Sequence, residues 1–212
     1  MTESSQPARR GRVFVIAAPS GAGKTSLLRA LMAREPGLGF SVSYTTRRPR
    51  PNEVEGRDYF FVSHERFEAM IATGQFVEHA RVFDNYYGTS RSTVESALDE
   101  GRDLILEIDW QGAQQVRARL PEAQHIFILP PSLAALEARL RKRSTDSEAV
   151  IQRRLQDSVQ ELSHWREFDF VVVNDDFELA LEDLQSIVHG EGDDLRGDRP
   201  SLAEFADSLL AG

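Results

Sequence analysis

The sequence predicts an α/β fold in which a parallel β-sheet core is flanked by helices and carries an inserted small mixed β segment and a helical lid. Three observations predict it. Short, almost wholly apolar runs recur along the 212 residues, each ahead of a helical pattern. The first of these runs ends in a glycine-rich turn that opens a helix. Between about residues 40 and 89 the texture changes to arginines, tyrosines, a Pro-x-Pro and short alternating runs.

In chain order, residues 1–11 read as a flexible polar tail with Arg9 and Arg10 and no apolar signal region. Val13 to Ala18 is a strand buried on both faces. Leu27, Leu28, Leu31 and Met32 fall at helical spacing after Lys24, and Pro36 and Gly37 stop that pattern. Within the insertion, 59–62 and 76–78 read as strands. Further buried strands are expected at 104–108, 126–129 and 170–173. Helices follow over 133–142 and 148–167, with Ser132 and Ser147 as N-caps and the polar stretch 143–146 as the hinge of a lid spanning about 139–155. Beyond His189 the composition turns to Gly, Asp and Arg, which reads as a flexible link, and 202–210 suits one short amphipathic helix. The predicted domain is thus 12–189, with its core in 12–39 and 90–189. Residues 190–212 form an acidic tail whose removal is expected to leave the fold intact.

A net charge of −9 argues against an electrostatic nucleic-acid binder. The absence of cysteine excludes disulfides, thiolate metal sites and cysteine nucleophiles, and it fits a reducing compartment. No stretch approaches the roughly 20 apolar residues of a membrane span. A soluble cytoplasmic protein is expected, monomeric or a small homo-oligomer, without nucleic-acid or membrane partners. The five histidines, His64, His79, His125, His164 and His189, show no metal-ligand spacing.

Ala18-Pro19-Ser20-Gly21-Ala22-Gly23-Lys24-Thr25 sits where strand gives way to helix, the context a phosphate-binding loop requires. Gly21 and Gly23 let the backbone wrap closely around phosphates, while consecutive N–H groups and the helix N-terminus face the anion. Lys24 reaches the β- and γ-phosphates of a nucleoside triphosphate, and Thr25 offers a hydroxyl to Mg²⁺. Ala18 stands where the strict pattern has Gly. Ser26 follows directly and completes the ATP-binding run.

Other segments narrow the class. Ser41-Val42-Ser43-Tyr44-Thr45-Thr46-Arg47-Arg48-Pro49-Arg50 and Gly56-Arg57-Asp58-Tyr59-Phe60-Phe61 strongly resemble guanylate kinases. So do Asn85-Tyr86-Tyr87-Gly88-Thr89, Glu107-Ile108-Asp109-Trp110-Gln111-Gly112 and Val173-Asn174-Asp175-Asp176, in the family's order and across about 12–189. The resemblance implies the P-loop nucleoside-monophosphate-kinase fold, with the monophosphate site in the insertion and Mg²⁺-dependent transfer of the γ-phosphoryl group of ATP to GMP. It implies that Ser43, Arg47, Arg50 and Tyr59 bind the phosphate of GMP. Two arginines and two hydroxyls can indeed supply charge-assisted donors to a dianion.

Glu78, Tyr87, Thr89 and Asp109 would form the guanine site, again by resemblance. A carboxylate only accepts hydrogen bonds, and guanine presents adjacent N1–H and N2–H donors where adenine presents an acceptor. Taken alone, Glu78 would read as a solvent-facing strand residue. Glu107 stands where many family members carry Asp and would contact Mg²⁺, partly through water. Arg139, Arg143 and Arg154 match the family's lid and helix arginines, which neutralise charge on the transferred group alongside Lys24 and Arg47. Arg154 would also reach GMP, and Arg143 and Asn174 would serve ATP.

Two rivals share parts of this pattern. A kinase of a phosphorylated sugar would have no use for Glu78, Thr89 and Asp109 together. A catalytically silent interaction module can lose the phosphate loop, whereas Gly21, Gly23, Lys24 and Thr25 are intact here.

Overall fold

The computed structural model describes residues 9–82, 84–143 and 148–211. They fall into two units, residues 9–15 with 37–123 and residues 16–36 with 124–211.

Strand β1 (Val13–Ala17) is buried at every position, as its unbroken apolar run requires. The chain then turns through Gly23 into helix α1 (Lys24–Arg34), which buries Leu27, Leu28 and Leu31. Pro36 lies just beyond its C-cap, Glu35. After β2 (Leu38–Phe40) the inserted segment supplies β3 (Tyr44–Thr45), β4 (Phe60–Phe61), helix α2 (His64–Ala72), β5 (Phe76–Val82) and β6 (Asn85–Ser90). There follow α3 (Arg91–Asp99), β7 (Asp103–Glu107), α4 (Trp110–Arg119), β8 (Gln124–Leu129), α5 (Leu133–Arg143), α6 (Glu148–Leu162), β9 (Phe170–Val173), α7 (Phe177–His189) and α8 (Pro200–Ala211). The larger sheet has the order β2-β7-β1-β8-β9, and its β2–β7 and β8–β9 pairs are parallel.

The insertion forms a second, mixed sheet in the order β4-β3-β6-β5, with β3–β4 parallel and β3–β6 and β5–β6 antiparallel. Helix α2 was not expected from the alternating pattern around it. Ser63 starts it by accepting from Arg66 N–H, and Phe67 and Met70, three apart, fall on its buried face. Phe67 stacks on Phe76 and Tyr86 with ring centroids 4.5 and 5.3 Å apart, which gives the small sheet its own aromatic core.

In the second unit Ser132 caps α5 as expected, accepting from Ala135 N–H at 3.0 Å. Ser147 and the hinge at 144–146 lie outside the described residues. Helix α6 ends five residues earlier than the expected 167. The Ser163 hydroxyl turns back onto Gln160 O at 2.7 Å, and a 3₁₀ turn over Trp165–Glu167 then drives Trp165 into the core. The link after His189, read as flexible, is tied to β9. Gly197 N–H donates to Asp169 O, Arg199 donates to Val171 O, each at 2.9 Å, and Arg196 bridges Phe170. Helix α8 buries Leu202, Ala206 and Leu209. Three apolar residues at spacings of four and three make a face that needs covering, so the segment packs down.

Candidate active site

In the first unit the residues expected to bind a nucleoside monophosphate gather around the small sheet and the end of β7. Strand register puts Glu78 of β5 opposite Thr89 of β6. Glu78 is 3% exposed and Thr89 fully buried, and the Thr89 hydroxyl donates to Glu78 Oε1 at 2.5 Å. The solvent-facing alternative for Glu78 is thereby removed. Burial pushes its carboxyl up to about 7, with the negative charge of Asp109 adding to the effect and the Thr89 hydroxyl opposing it. The group is therefore poised to change charge near neutrality.

Glu107 and Asp109, two apart, were expected to share a strand face, but β7 ends at Glu107 and Asp109 is the N-cap of α4. Its carboxylate accepts from Gly112 N–H at 2.8 Å. The two acids act on different neighbours: Asp109 raises Glu78, whereas Glu107 raises Tyr59. Burial and that charge push the Tyr59 hydroxyl up to about 12, so it remains a hydrogen-bond donor at neutral pH.

The Arg47 guanidinium lies 5.4 Å over the Tyr59 ring and donates through Nη2 to Glu53 Oε1 at 2.7 Å. Glu53 Oε2 in turn accepts from Arg50 N–H at 2.8 Å, so one carboxylate fixes the loop that carries both arginines. The Arg47 bond holds the Glu53 carboxyl below the usual carboxylate range, and Glu53 raises Arg47. Tyr87 packs edge-on against Tyr59 with centroids 5.9 Å apart. Ser43 is half-buried, its carbonyl accepting from Phe60 N–H at 2.9 Å, and the Arg50 side chain is exposed. Glu53 escaped the sequence reading because it meets Arg47 across an irregular loop, where no helical or strand period applies.

In the second unit the phosphate loop is shaped by bonds to its carbonyls. Asn174 Nδ2 donates to Ala22 O at 2.7 Å and Arg139 Nη1 to the same oxygen at 3.2 Å. Ser158 of α6 donates to Ser20 O at 3.3 Å. Pro19 O accepts from Ala22 N–H, and Gly23 O from the N–H groups of Ser26 and Leu27. A loop that is to aim N–H groups at an anion must turn its carbonyls elsewhere, and these bonds give them somewhere to go. Gly21 and Gly23 have φ of 92° and 97°, a left-handed region that side chains disfavour. A Cβ on Gly23 would also stand 2.3 Å from Asn174 Nδ2. Lys24 and Thr25 open α1 directly after its N-cap, Gly23, and a helix N-terminus of this kind favours an anion.

Asn174, expected against the donor base, is 4% exposed, with its amide engaged on the loop. Arg139 also braces the loop, its second Nη donating to Asn174 O at 3.2 Å. Glu161 of α6 accepts from Ser20 N–H at 3.2 Å, a contact with no signal in the sequence. Arg154 lies half-buried on α6. The Arg143 side chain lies outside the described residues.

Among the described residues no group of three or more His, Cys, Asp or Glu could hold a metal ion. The oxygens of Thr25 and Glu107 are nonetheless the hard donors that suit an ion carried mainly by a substrate's phosphates.

A family model described as guanylate kinase matches residues 10–191. The chain is 55% identical over 201 residues to a guanylate kinase of Methylococcus capsulatus, covering 95% of this chain and 98% of that one. It is 52% identical over 200 residues to one of Alkalilimnicola ehrlichii, covering 94% and 98%. The crystal structure of guanylate kinase from Anaplasma phagocytophilum superimposes with a TM-score of 0.70 at 33% identity, covering 94% of this chain and 95% of that one.

Proposed function

The chain belongs to the guanylate kinase family and transfers the γ-phosphoryl group of ATP to GMP, and from that premise we propose how its residues divide the reaction. The observation that carries the division is Glu78, a nearly inaccessible carboxylate bonded to Thr89. In its ionised form Glu78 accepts from N1–H and N2–H of guanine, with Thr89, Asp109 and Tyr87 completing the base site. Adenine would set an acceptor against that buried carboxylate, a mismatch that can be worth about 10⁴-fold in discrimination.

Ser43, Arg47, Arg50 and Tyr59 take the phosphate of GMP. Arg47 is held by Glu53 and stacked on Tyr59, so little side-chain entropy is lost when the anion arrives. On the ATP side the residues from Ala18 to Ser26 wrap the phosphates. Asn174 and Arg139 hold the loop in its anion-facing shape, and Lys24 follows charge to the γ-phosphoryl group. An oxygen of the GMP phosphate attacks the γ-phosphorus in line, and ADP leaves. That oxygen is already ionised, so no general base is required. Arg139, Arg143 and Arg154 neutralise charge that builds on the transferring group.

Thr25 and Glu107 would each offer an oxygen to Mg²⁺, which would supply neutralisation of charge on the ATP phosphates. We propose a cytoplasmic enzyme acting as a monomer or small homo-oligomer. No helix of the described residues is long and apolar enough to cross a membrane.

The test is ADP production from Mg-ATP with GMP, AMP, CMP, UMP and a phosphorylated ribose offered separately. Strong preference for GMP is expected, and equal turnover of AMP would overturn the assignment of Glu78.

A further inference from the structure

Glu78 sits in an edge strand of the small sheet, β5, whose one strand neighbour among the described residues is β6. The ladder between them shifts register between Phe76 and Glu78, so Val77 is the extra residue of a bulge. A bulge at a sheet edge leaves backbone groups without ladder partners. Helix α4 supplies partners on both sides of Glu78. Arg119 Nη1 donates to Val77 O. The Gln115 side-chain amide closes a pair with His79, Nε2 donating to its carbonyl at 2.7 Å and Oε1 accepting from its N–H at 3.2 Å. One turn earlier on the same helix, Gly112 has no side chain where a Cβ would stand 2.6 Å from Glu78 Oε2.

Positions 112, 115 and 119 are three and four apart and so lie on one helical face. That face touches the guanine-reading strand at the residue before Glu78, at its carboxylate and at the residue after it. The start of the same helix is fixed by Asp109, itself assigned to the base site.

We propose that Gln115 and Arg119 are positioning residues for guanine specificity, holding the bulged backbone at Val77 and His79 so that the Glu78 carboxylate stays at its place over Gly112. This rests on the reading of Glu78 as the guanine acceptor. Neither side chain need touch the nucleotide. An edge strand without them would keep its pairing with β6 but lose the register of the bulge, and a buried carboxylate displaced by about 1 Å can no longer accept two parallel N–H groups.

The experiment is steady-state kinetics on the full chain with GMP and AMP as acceptors, for Gln115→Met, Arg119→Met, Arg119→Lys, Glu78→Gln and the double variant Glu78→Gln/Gln115→Met. Gln115→Met keeps side-chain length and removes both bonds. It is expected to raise KM for GMP about tenfold and to lower the GMP-over-AMP ratio of kcat/KM equally, with KM for ATP unchanged. Arg119→Met is expected to act in the same direction, and Arg119→Lys, which keeps one donor for Val77 O, to recover most of the loss. In the Glu78→Gln background Gln115→Met should add less than about twofold, because coupled residues are not additive.

A general packing role would instead raise KM for ATP as well and add fully in the double variant, which would overturn the proposal. If Gln115→Met folds poorly, the Arg119 pair decides alone: equal GMP selectivity in Arg119→Met and Arg119→Lys refutes it. A normal GMP preference in Glu78→Gln would instead refute the underlying reading of Glu78. A large loss there with none in Gln115→Met would refute only the positioning role.

Discussion

In the first unit side chains hold one another in place, with Arg47 on Glu53 and Thr89 on Glu78; in the second, side chains hold a backbone. Asn174, Arg139 and Ser158 do their visible work on carbonyls of the phosphate loop. On the proposed assignment, the difference follows from what each site must recognise. A guanine edge is a particular pattern of donors that only side chains of the right type can mirror. A polyphosphate is a dense anion that any set of convergent N–H groups and a helix start can receive. The acceptor site should therefore be sensitive to pH and to the chemistry of single side chains, and the donor site to backbone conformation.

The sharpest way to break this contrast is Gly23→Ala. A methyl group there meets both a φ of 97° and the Asn174 amide, so turnover should fall by about 10³-fold or more, comparable with loss of a preorganised charge-stabilising group, while GMP binding measured by calorimetry is retained. Lys24→Ala should lower kcat by about 10²–10³-fold with the affinity for GMP unchanged. An unchanged rate would refute its role.

The pH dependence sharpens the acceptor side. On the proposed assignment only ionised Glu78 accepts both guanine donors, and its carboxyl is raised to about 7. KM for GMP should therefore fall up to about tenfold as pH rises from 6 to 8, the change that one pKa unit on either side allows. Glu78→Gln serves as the control that removes the contribution of the GMP phosphate's own titration. Linkage has the opposite sign for stability. A carboxyl raised above its unfolded value of about 4.5 favours the folded state at low pH, so that contribution is lost as pH rises from about 4.5 through 7. Glu78→Gln should flatten that part of a Tm-against-pH curve.

Asn174→Ala leaves Ala22 O with Arg139 as its remaining side-chain donor among the described residues and should weaken ATP binding about tenfold, with GMP affinity unchanged. The smallest effect on catalysis is expected from truncation after His189. It removes the bonds to Asp169 O and Val171 O and the buried face of α8, so Tm should drop by about 5 °C or more while kcat at 25 °C stays near that of the full chain. The fold itself is still expected to survive the truncation, at that cost in Tm.

The sequence made the donor half legible because backbone sites have a local signature, a strand, glycines, Lys-Thr and a helix in one run of residues. The apolar strands at 126–129 and 170–173 were equally plain, since burial on both faces leaves no polar interruption. The acceptor half was legible only through resemblance. Glu78 and Thr89 meet across an antiparallel pair, and Arg47 and Glu53 across a loop, and no period connects them. Helix α2 was missed because its two buried residues, Phe67 and Met70, are too few to outweigh the alternating runs on either side. Glu107 and Asp109 were put on one face by counting along a strand, and the helix cap at Asp109 broke the count.

The central claim is the proposed assignment of a buried carboxylate in the first unit to the choice of acceptor base and of the phosphate loop in the second unit to ATP. Its most direct test is the ratio of kcat/KM for GMP to that for AMP, measured in the wild-type enzyme and in Glu78→Gln at pH 7.5 together with KM for ATP. The account predicts a fall in that ratio of about 10²-fold or more with KM for ATP unchanged, in line with the loss of hydrogen bonds to a charged group. A ratio that survives the substitution, with only thermal stability altered, would contradict it.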